Sequence, residues 1–379
     1  MKKIMLLILL LVIFLSGCGK IEMNTAVIPL AFGTDFKNNK IVISTQIAKP
    51  VSPGTTPAAG PQFTVITASG QTVSEASRNT SLYFSSIPLW SQVQVSVLGE
   101  DLAKHGITTL VDFLVRNRFA RKNNTLVVTH NVSPEQILNV NPYLEPYTAM
   151  AISRLIKNQE IQLGIYTPTN INDFLQRLSN PGIEPAAPMI TIRKNGAEEQ
   201  LLLEGTAVFK GSRMIGTLNE LESRGYTLMN PKLKTVGLFL IHSPLNPEQW
   251  VTLEISNSQA KITPIIQGQQ IKMKIEIKAE GNFYEQGGVG DLFTPEIFTK
   301  IEQAADQELK RQMAMSIRKA QSLNSDIFGW GYSVYRSDSA TWKAIEKDWD
   351  QRFPEIPYEL DVKFDLRRSY LTDKSFVFR

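Results

Sequence analysis

The sequence predicts an α+β protein of more than one domain, in which mixed or antiparallel sheets are flanked by helices. Segments with strand-type alternation and segments with helix-type spacing follow one another irregularly, without a fixed repeat. Residues 250–255 and 271–277 alternate apolar with polar side chains, which is typical of antiparallel strands with one buried face. From Ile297 to Ala320, apolar residues recur every three or four positions, which predicts a long amphipathic helix packed on the C-terminal sheet.

The first elements predicted after the N-terminal region form a β-hairpin. Two β-rich segments, residues 26–32 and 40–48, flank a turn that contains Asn38 and Asn39, and asparagine tolerates the positive φ angles of a tight turn. Residues 50–61 gather Pro, Gly, Thr and Ala without an apolar period. We therefore expect a surface loop there.

Capping patterns predict the helices of the first half. Thr72 and Glu75 have the spacing of a capping box, which predicts a helix that ends at about residue 84. Ser133 and Pro134 predict another helix start, because proline is favoured at the first helical position. Further helices are expected up to Gly106, from Thr108, at 147–157 and at 170–178, and strands at 63–66, 92–98 and 125–129.

A domain boundary is predicted near residue 190, because residues 179–188 are rich in proline and lack periodicity. We expect a leader over residues 1–17 and two α+β parts, over residues 18–190 and 191–379. A length of 379 residues agrees with more than one core.

The second part begins with a predicted strand at 189–193 and a hairpin of residues 203–209 and 214–218. Thr217 and Glu220 repeat the capping-box spacing, and Gly225 is expected to end the helix that they begin.

The C-terminal end combines the long helix, one further helix and a last strand. The long helix is expected to stop near residues 326–331 (Asp-Ile-Phe-Gly-Trp-Gly), and residues 358–366 alternate as a strand. Between them, a single helix before Pro354 is predicted to bury one face, made of Trp342, Ile345, Trp349 and Phe353.

The first residues have the pattern of a lipoprotein signal peptide. Lys2 and Lys3 precede an apolar run over residues 4–15, and the small residues Ser16 and Gly17 follow before Cys18. A thiol at this position is where diacylglycerol is attached before the leader is cut. The alternative is a transmembrane helix, but spanning a bilayer takes roughly 20 apolar residues, and this run is shorter. We therefore expect Cys18 to be lipidated and the rest of the chain to lie in water outside the cytoplasm.

Composition narrows the possible functions. Cys18 is the only cysteine, so its acylation leaves no thiol for a disulfide, a thiol nucleophile or a metal site. The formal net charge is +4, of which Lys2 and Lys3 contribute two charges, so nothing favours a nucleic-acid partner. Two interpretations remain for one local basic group, a solvated helix end or a surface that faces anionic lipid near the anchor. Its members are Arg116, Arg118, Arg121 and Lys122.

No catalytic, cofactor or metal site is predicted. The three histidines, His105, His130 and His242, lie in different predicted elements, whereas a metal site needs three or four converging ligands. The glycine-rich run 287–290 does not follow a strand with a nucleotide-binding pattern, so we interpret it as a connection. Four aromatic residues are interpreted as core, with a ligand pocket as the alternative. They are Phe328, Trp330, Trp342 and Trp349.

Together, several short motifs in order resemble the Ger(x)C family of spore germination lipoproteins, the C subunits of nutrient germinant receptors. The resemblance covers nearly the whole chain. Two departures are Gly19-Lys20-Ile21-Glu22 after the cysteine and Arg367-Arg368-Ser369-Tyr370 near the C-terminus. The matching residues are 70–76 (GQTVSEA), 97–107 (VLGEDLAKHGI), 112–116 (DFLVR), 203–209 (LEGTAVF), 214–218 (MIGTL), 326–331 (DIFGWG) and the helix of residues 342–354.

This resemblance implies a non-enzymatic subunit, lipid-anchored through Cys18 on the outer face of the spore inner membrane. It also implies that the chain assembles with an integral-membrane A subunit and a transporter-like B subunit, in a complex that responds to amino acids, sugars or nucleosides. Two alternatives stay open. A solute-binding lipoprotein of a transporter would need two α/β lobes with parallel strands and a cleft, and a lipid-anchored hydrolase would need a nucleophile, a base or a metal set.

Overall fold

The computed structural model describes residues 26–49, 60–83, 85–118, 120–196, 198–232, 237–268, 270–288 and 292–369. The strands are β1 (Ala26–Val27), β2 (Pro29–Lys37), β3 (Lys40–Ala48), β4 (Phe63–Gly70), β5 (Ile87–Pro88), β6 (Val95–Leu98), β7 (Thr125–Thr129), β8 (Ala186–Asn195), β9 (Glu198–Lys210), β10 (Arg213–Leu218), β11 (Gly237–His242), β12 (Trp250–Gln267), β13 (Gln270–Gln286) and β14 (Tyr358–Ser369). The helices are α1 (Val73–Asn79), α2 (Glu100–His105), α3 (Thr108–Arg116), α4 (Pro134–Asn139), α5 (Thr148–Gln162), α6 (Ile171–Ser179), α7 (Glu220–Leu228), α8 (Pro295–Ser322), α9 (Trp330–Ser337), α10 (Ser339–Ile345) and α11 (Trp349–Arg352).

The first part is built on an eight-stranded mixed sheet. Its order is β10-β9-β8-β7-β6-β2-β3-β4, and the four central strands pair in parallel while the outer pairs are antiparallel. One face is covered by side chains such as Leu102 of α2 and Phe174 of α6, and the other by Ile137 of α4 and Ile152 of α5. Burial on both faces explains why the short central strands are almost wholly apolar.

The opening hairpin is confirmed. Asn38 and Asn39 have φ angles of 51° and 59°, and Lys37 pairs with Lys40 across the turn. Two positive φ angles give the turn the twist of its strands, so the hairpin closes without strain.

One helix and one strand of this part are shorter than predicted. Helix α1 ends at Asn79, not near residue 84, because the chain tightens into a 3₁₀ turn over Thr80–Leu82. Strand β6 begins at Val95, not residue 92, because Trp90–Gln92 forms another 3₁₀ turn. The Thr72–Glu75 cap is present, with the Glu75 carboxylate accepting from the N–H of Gln71 at 2.7 Å.

The eight-stranded sheet continues past residue 190. Strands β8, β9 and β10 join it through β7, and the second sheet begins at β11. One apolar cluster contains Val208 and Leu218 of the first sheet together with Leu253 and Ile317 of the second part. One apolar core therefore contains side chains from both sheets.

The second part is a four-stranded sheet packed on α8. The order is β11-β12-β13-β14, and β13 pairs with β14 in parallel while the other pairs are antiparallel. The predicted stripe of α8 is buried against this sheet, so the mixed α+β architecture with a long helix on the C-terminal sheet is confirmed. The buried side chains of the stripe are Ile297, Ile301, Ala305, Leu309, Met313, Ile317 and Ala320.

Helix α8 also contacts the outer edge of β14. The backbone N–H of Phe364 donates to the Asp306 carboxylate at 2.7 Å, and that of Leu366 donates to the Glu302 carboxylate at 2.9 Å. These N–H groups would otherwise be unpaired on an edge strand. Two acidic side chains of the helix thus satisfy the edge of the sheet.

The segment predicted as one helix before Pro354 is divided. Helices α10 and α11 are separated by a 3₁₀ turn over Glu346–Asp348, and another turn covers Phe353–Glu355. The predicted face is nevertheless buried, since Trp342, Ile345, Trp349 and Phe353 are all at most 5% exposed.

The predicted cap and end of α7 are wrong. Asn219 caps the helix in a capping box with Glu222, because Leu218 still pairs with Thr206 in the strand before it. Gly225 lies inside the helix rather than at its end. A Cβ atom at this position would come within 2.2 Å of the Gln312 carbonyl oxygen, so glycine allows α7 and α8 to touch through their backbones.

Replacing Gly225 with alanine should destabilise the protein. Alanine is the better helix former by about 1 kcal/mol, but overpacking at a backbone contact costs about 1–3 kcal/mol. We expect a net loss in the free energy of unfolding, measured by denaturant titration. The control Leu221→Ala, on the half-exposed side of α7, should change it less; equal losses for both variants would contradict the close contact.

Candidate functional site

Residues 326–331 form the turn between α8 and α9, where the two parts of the protein meet. Ile327 and Trp330 are fully buried. Gly329 has a φ of 72°, a conformation that glycine adopts without strain, and a Cβ atom there would lie 2.7 Å from the Ile183 side chain. The motif is therefore an interior connection between the two parts.

The carboxylate of Asp326 organises this turn. It accepts hydrogen bonds from the backbone N–H groups of Trp330 at 2.9 Å and Gly331 at 2.8 Å, and from the Trp349 indole N–H at 3.2 Å. Burial raises the pKa of Asp326 to about 7, and the donated hydrogen bonds oppose this rise. Asp326 thus titrates near neutral pH while it links α9 to α11.

Residues 182–184 of the first part lie directly on this turn. The N–H of Tyr332 donates to the Gly182 carbonyl at 2.8 Å, and the N–H of Glu184 donates to the Asp326 carbonyl at 2.9 Å. A Cβ atom on Gly182 would come within 2.6 Å of the Gly331 backbone. The proline-rich segment that was predicted to mark a domain boundary therefore forms one side of a close backbone contact.

Arg177 adds a side-chain link across the same junction. Its guanidinium donates to the carbonyl of Ile327 at 2.8 Å and to that of Glu184 at 3.3 Å. It also lies 6.0 Å from the centre of the Tyr226 ring, within the range of a cation–π contact. One cation on α6 thereby contacts the segment 182–184, the turn 326–331 and α7.

Of the four aromatic residues considered from the sequence, Trp330, Trp342 and Trp349 are buried in the core, and Phe328 is partly buried and packs against the same cluster. Trp342 and Trp349 pack edge to face with ring centroids 5.3 Å apart, and Phe328 lies 5.8 Å from Trp330. A hollow of about 170 Å³ borders Trp342 and Trp349, but the rings are buried among one another and do not line an open apolar pocket. Their arrangement stabilises the junction.

The three histidines have separate surroundings. His105 stacks on Phe36 at 4.0 Å, and His242 stacks on Trp250 at 4.1 Å. His130 lies 3.7 Å from the carboxylate of Glu100. Within the described stretches, no group of three or more His, Cys, Asp or Glu side chains is arranged to hold a metal ion.

A hollow of about 860 Å³ lies between the loop after α4 and the β8–β9 hairpin. Tyr143 and Leu144 project from this loop and are 92% and 84% exposed. Charges of both signs line the hollow, including Lys194, Glu199 and Arg154, which pairs with Glu145. The mixed lining resembles a polypeptide contact surface more than an enclosed small-molecule site.

The predicted lipidation site, Cys18, lies outside the described residues, as do the predicted leader and part of the run 287–290. No helix in the described part of the chain has the length and apolar character needed to span a bilayer. Sequence reasoning missed the role of residues 182–184. The available signal was Gly182 beside Pro181, which marks a turn but does not show what it touches.

Asp326→Asn should reveal the titration of this buried carboxyl. Its pKa is higher in the folded chain, so ionisation lowers the free energy of unfolding as pH rises from about 4 to about 7. The free energy of unfolding of the parent minus that of the variant should therefore fall by about 2–4 kcal/mol between pH 4.5 and 7.5. Urea titrations across this range measure the difference.

Asp338→Asn is the matched control. Asp338 caps α10 on the surface, and the hydrogen bonds from Thr341 lower the pKa of its carboxyl. Its titration therefore lies below the tested pH range, and the corresponding difference should stay constant. A constant difference for Asp326→Asn as well would show that this carboxyl does not titrate near neutrality.

Two family models match consecutive parts of the chain. Residues 19–192 match "Spore germination protein N-terminal domain", and residues 204–370 match "Spore germination B3/ GerAC like, C-terminal". The division between them falls in the β8–β9 hairpin, and the Asp326 turn lies within the second. Each model therefore covers one side of the junction.

Curated relatives from Bacillus subtilis (strain 168) match over most of the chain. The protein "Spore germination protein KC" is 26% identical, with 96% of this chain and 95% of that protein covered. "Putative spore germination protein YfkR" is 24% identical, with 92% and 91% covered. "Spore germination protein B3" is 20% identical, with 81% of each covered.

A solved structure described as "Crystal Structure of the GerBC protein" has the same fold. The TM-score is 0.55 at 15% identity, and 88% of this chain and 96% of that chain are covered. The family matches, the relatives and this fold agree over both parts. The chain belongs to the Ger(x)C family of spore germination proteins.

Proposed function

We propose that this chain is a lipid-anchored, non-catalytic subunit of a nutrient germinant receptor complex and acts in spore germination. The observation that carries the proposal is the match of both parts, in order, to models of spore germination proteins. Relatives named as germination proteins match over nearly their whole length, so the likeness extends beyond one shared domain.

The geometry supports a role in assembly rather than catalysis. The carboxyl with the most perturbed pKa, Asp326, accepts hydrogen bonds from backbone and indole donors inside the junction. The hollow beside the exposed Tyr143 and Leu144 is lined by charges of both signs. Such surfaces bind other proteins more readily than they activate a substrate.

The proposed location is the outer face of the spore inner membrane, with the chain held by acyl groups on Cys18. The support is the order of Lys2 and Lys3, the apolar run and the small residues before the cysteine. Two or more acyl chains anchor durably, whereas one binds only reversibly. The proposed partners are the integral-membrane A and B subunits of the receptor.

A solute-binding lipoprotein of a transporter is the second candidate. The four parallel central strands, covered by helices on both faces, favour it, because such lobes bind ligands. The four-stranded sheet, with two antiparallel pairs and one long helix, is not a second lobe of that kind.

Deletion of the gene tests the receptor role. Spores that lack it should fail to germinate with particular single nutrients and respond normally to the others, measured as loss of optical density. The tagged protein, isolated from spore inner membranes, should carry the A and B subunits with it. Normal germination with every nutrient, together with recovery of a transporter, would favour the solute-binding candidate.

Cys18→Ala tests the anchor. The variant has no thiol for diacylglycerol, so it should lack acyl groups by mass spectrometry and appear mainly in the soluble fraction of spores. Cys18→Ser is the matched control for side-chain size and should behave in the same way. Acyl chains on either variant would show that lipid is attached elsewhere.

A further inference from the structure

The segment of residues 80–92 forms backbone hydrogen bonds with residues 26 and 27, where the described part of the chain begins. Strand β1 pairs in parallel with β5, so that Ala26 lies beside Ile87, and the N–H of Leu89 donates to the Val27 carbonyl at 3.0 Å. Two short 3₁₀ turns, at Thr80–Leu82 and Trp90–Gln92, bracket this pairing. We call residues 80–92, without Phe84, the β5 segment.

The β5 segment exposes apolar side chains without any charge. Leu82, Tyr83 and Ile87 are 83%, 65% and 52% exposed. The sequence has no charged residue between Arg78 and Glu100. Exposed aliphatic and aromatic side chains in an uncharged stretch are typical of segments that lie in a membrane interface.

One basic side chain, Arg121, lies next to the β5 segment. Trp90 and Arg121 line the same small hollow, and Trp90 packs edge to face on Phe32 of β2. The group considered in the sequence, Arg116, Arg118, Arg121 and Lys122, follows along the end of α3 and the loop after it. Asp112 pairs with Arg116 at 2.8 Å and offsets one of these charges. Residues 112–122 contain four basic residues and one acidic residue, a composition that suits anionic headgroups.

The stretch between Cys18 and Ala26 is short, which limits how far the β5 segment can lie from a membrane that holds Cys18. Eight residue steps separate Cys18 from Ala26, and they span at most about 29 Å when fully extended. Ala26 is paired with Ile87, so a lipid on Cys18 keeps the β5 segment within that reach of the bilayer. Ile28, two residues after Ala26, is also exposed, so the apolar surface extends along the chain toward the anchor side.

We propose that the β5 segment and the basic group beside it bind the surface of an anionic lipid bilayer, with Leu82, Tyr83 and Ile87 entering the interface. This inference rests on the proposed lipidation of Cys18. Lipid would tether the chain, and the surface would fix its orientation, so that the side opposite β5 faces away from the membrane. Exposed apolar side chains next to basic residues match a bilayer interface. The hollow after α4, which is lined by charges of both signs, matches it less well.

Site-specific labelling of the full lipidated chain tests this surface. Because Cys18 is the only cysteine and its thiol is acylated, Leu82→Cys provides a single reactive thiol. The chain is reconstituted in vesicles of phosphatidylglycerol and phosphatidylcholine, and mass spectrometry verifies the acyl groups. A fluorophore at position 82 should be quenched by spin-labelled lipid and should be several-fold less accessible to iodide than one at Gln267→Cys, an exposed position at the end of β12.

Charge reversal provides the second arm. Arg118→Glu with Arg121→Glu should raise the iodide accessibility of the label at position 82 several-fold on anionic vesicles. The matched control, Lys261→Glu with Lys343→Glu, makes the same change in charge at exposed positions of the second part and should leave the label shielded. Equal effects of both pairs would mean that net charge, rather than this surface, orients the protein.

The outcomes separate the two proposals. Absence of acyl groups on Cys18 would contradict the anchor and leave the surface to be tested by vesicle binding of the unlipidated full chain. Equal accessibility of positions 82 and 267 on verified lipidated protein would overturn the surface. Shielding of position 82 only after the A and B subunits are added would assign the β5 segment to a protein contact and would also overturn it.

Discussion

The buried turn at Asp326 is the constraint on which the contact between the two parts depends. A carboxylate cannot be taken out of water without donors, and here the donors are the backbone of α9 and the indole of α11. Its own carbonyl accepts from Glu184 of the first part. The turn after α8 therefore has one arrangement that satisfies these groups, and Gly182 and Gly331 allow the backbones to meet there.

Local patterns predicted the elements whose causes are local. The stripe from Ile297 to Ala320 and the Asn38-Asn39 turn depend on side chains within the same element, so their periodicity and conformational preference were sufficient. Thr217 failed as a cap because its strand pairing continues to Leu218, which is a contact with a distant strand. Gly225 was interpreted as a helix end. Its actual constraint is a close backbone contact with Gln312, which lies far along the chain.

The candidate sites divide in the same way. Cys18 could be predicted as a lipidation site because the pattern of a lipoprotein signal peptide is short and linear, so it is present in the sequence whatever the fold. The junction partner at residues 182–184 acts mainly through backbone groups, and these leave little trace in side-chain composition. Residues 80–92 lack charge and period, and only the exposure of Leu82, Tyr83 and Ile87 in the fold distinguishes this stretch from an ordinary buried one.

The contact of α8 with the edge of β14 limits how this protein can associate. An open strand edge can recruit an extended segment of another chain, but Asp306 and Glu302 already accept the N–H groups of Phe364 and Leu366. A partner that adds a strand there would have to displace both carboxylates. These two positions of β14 are thus already bonded within the chain, which disfavours strand addition at this end of the four-stranded sheet.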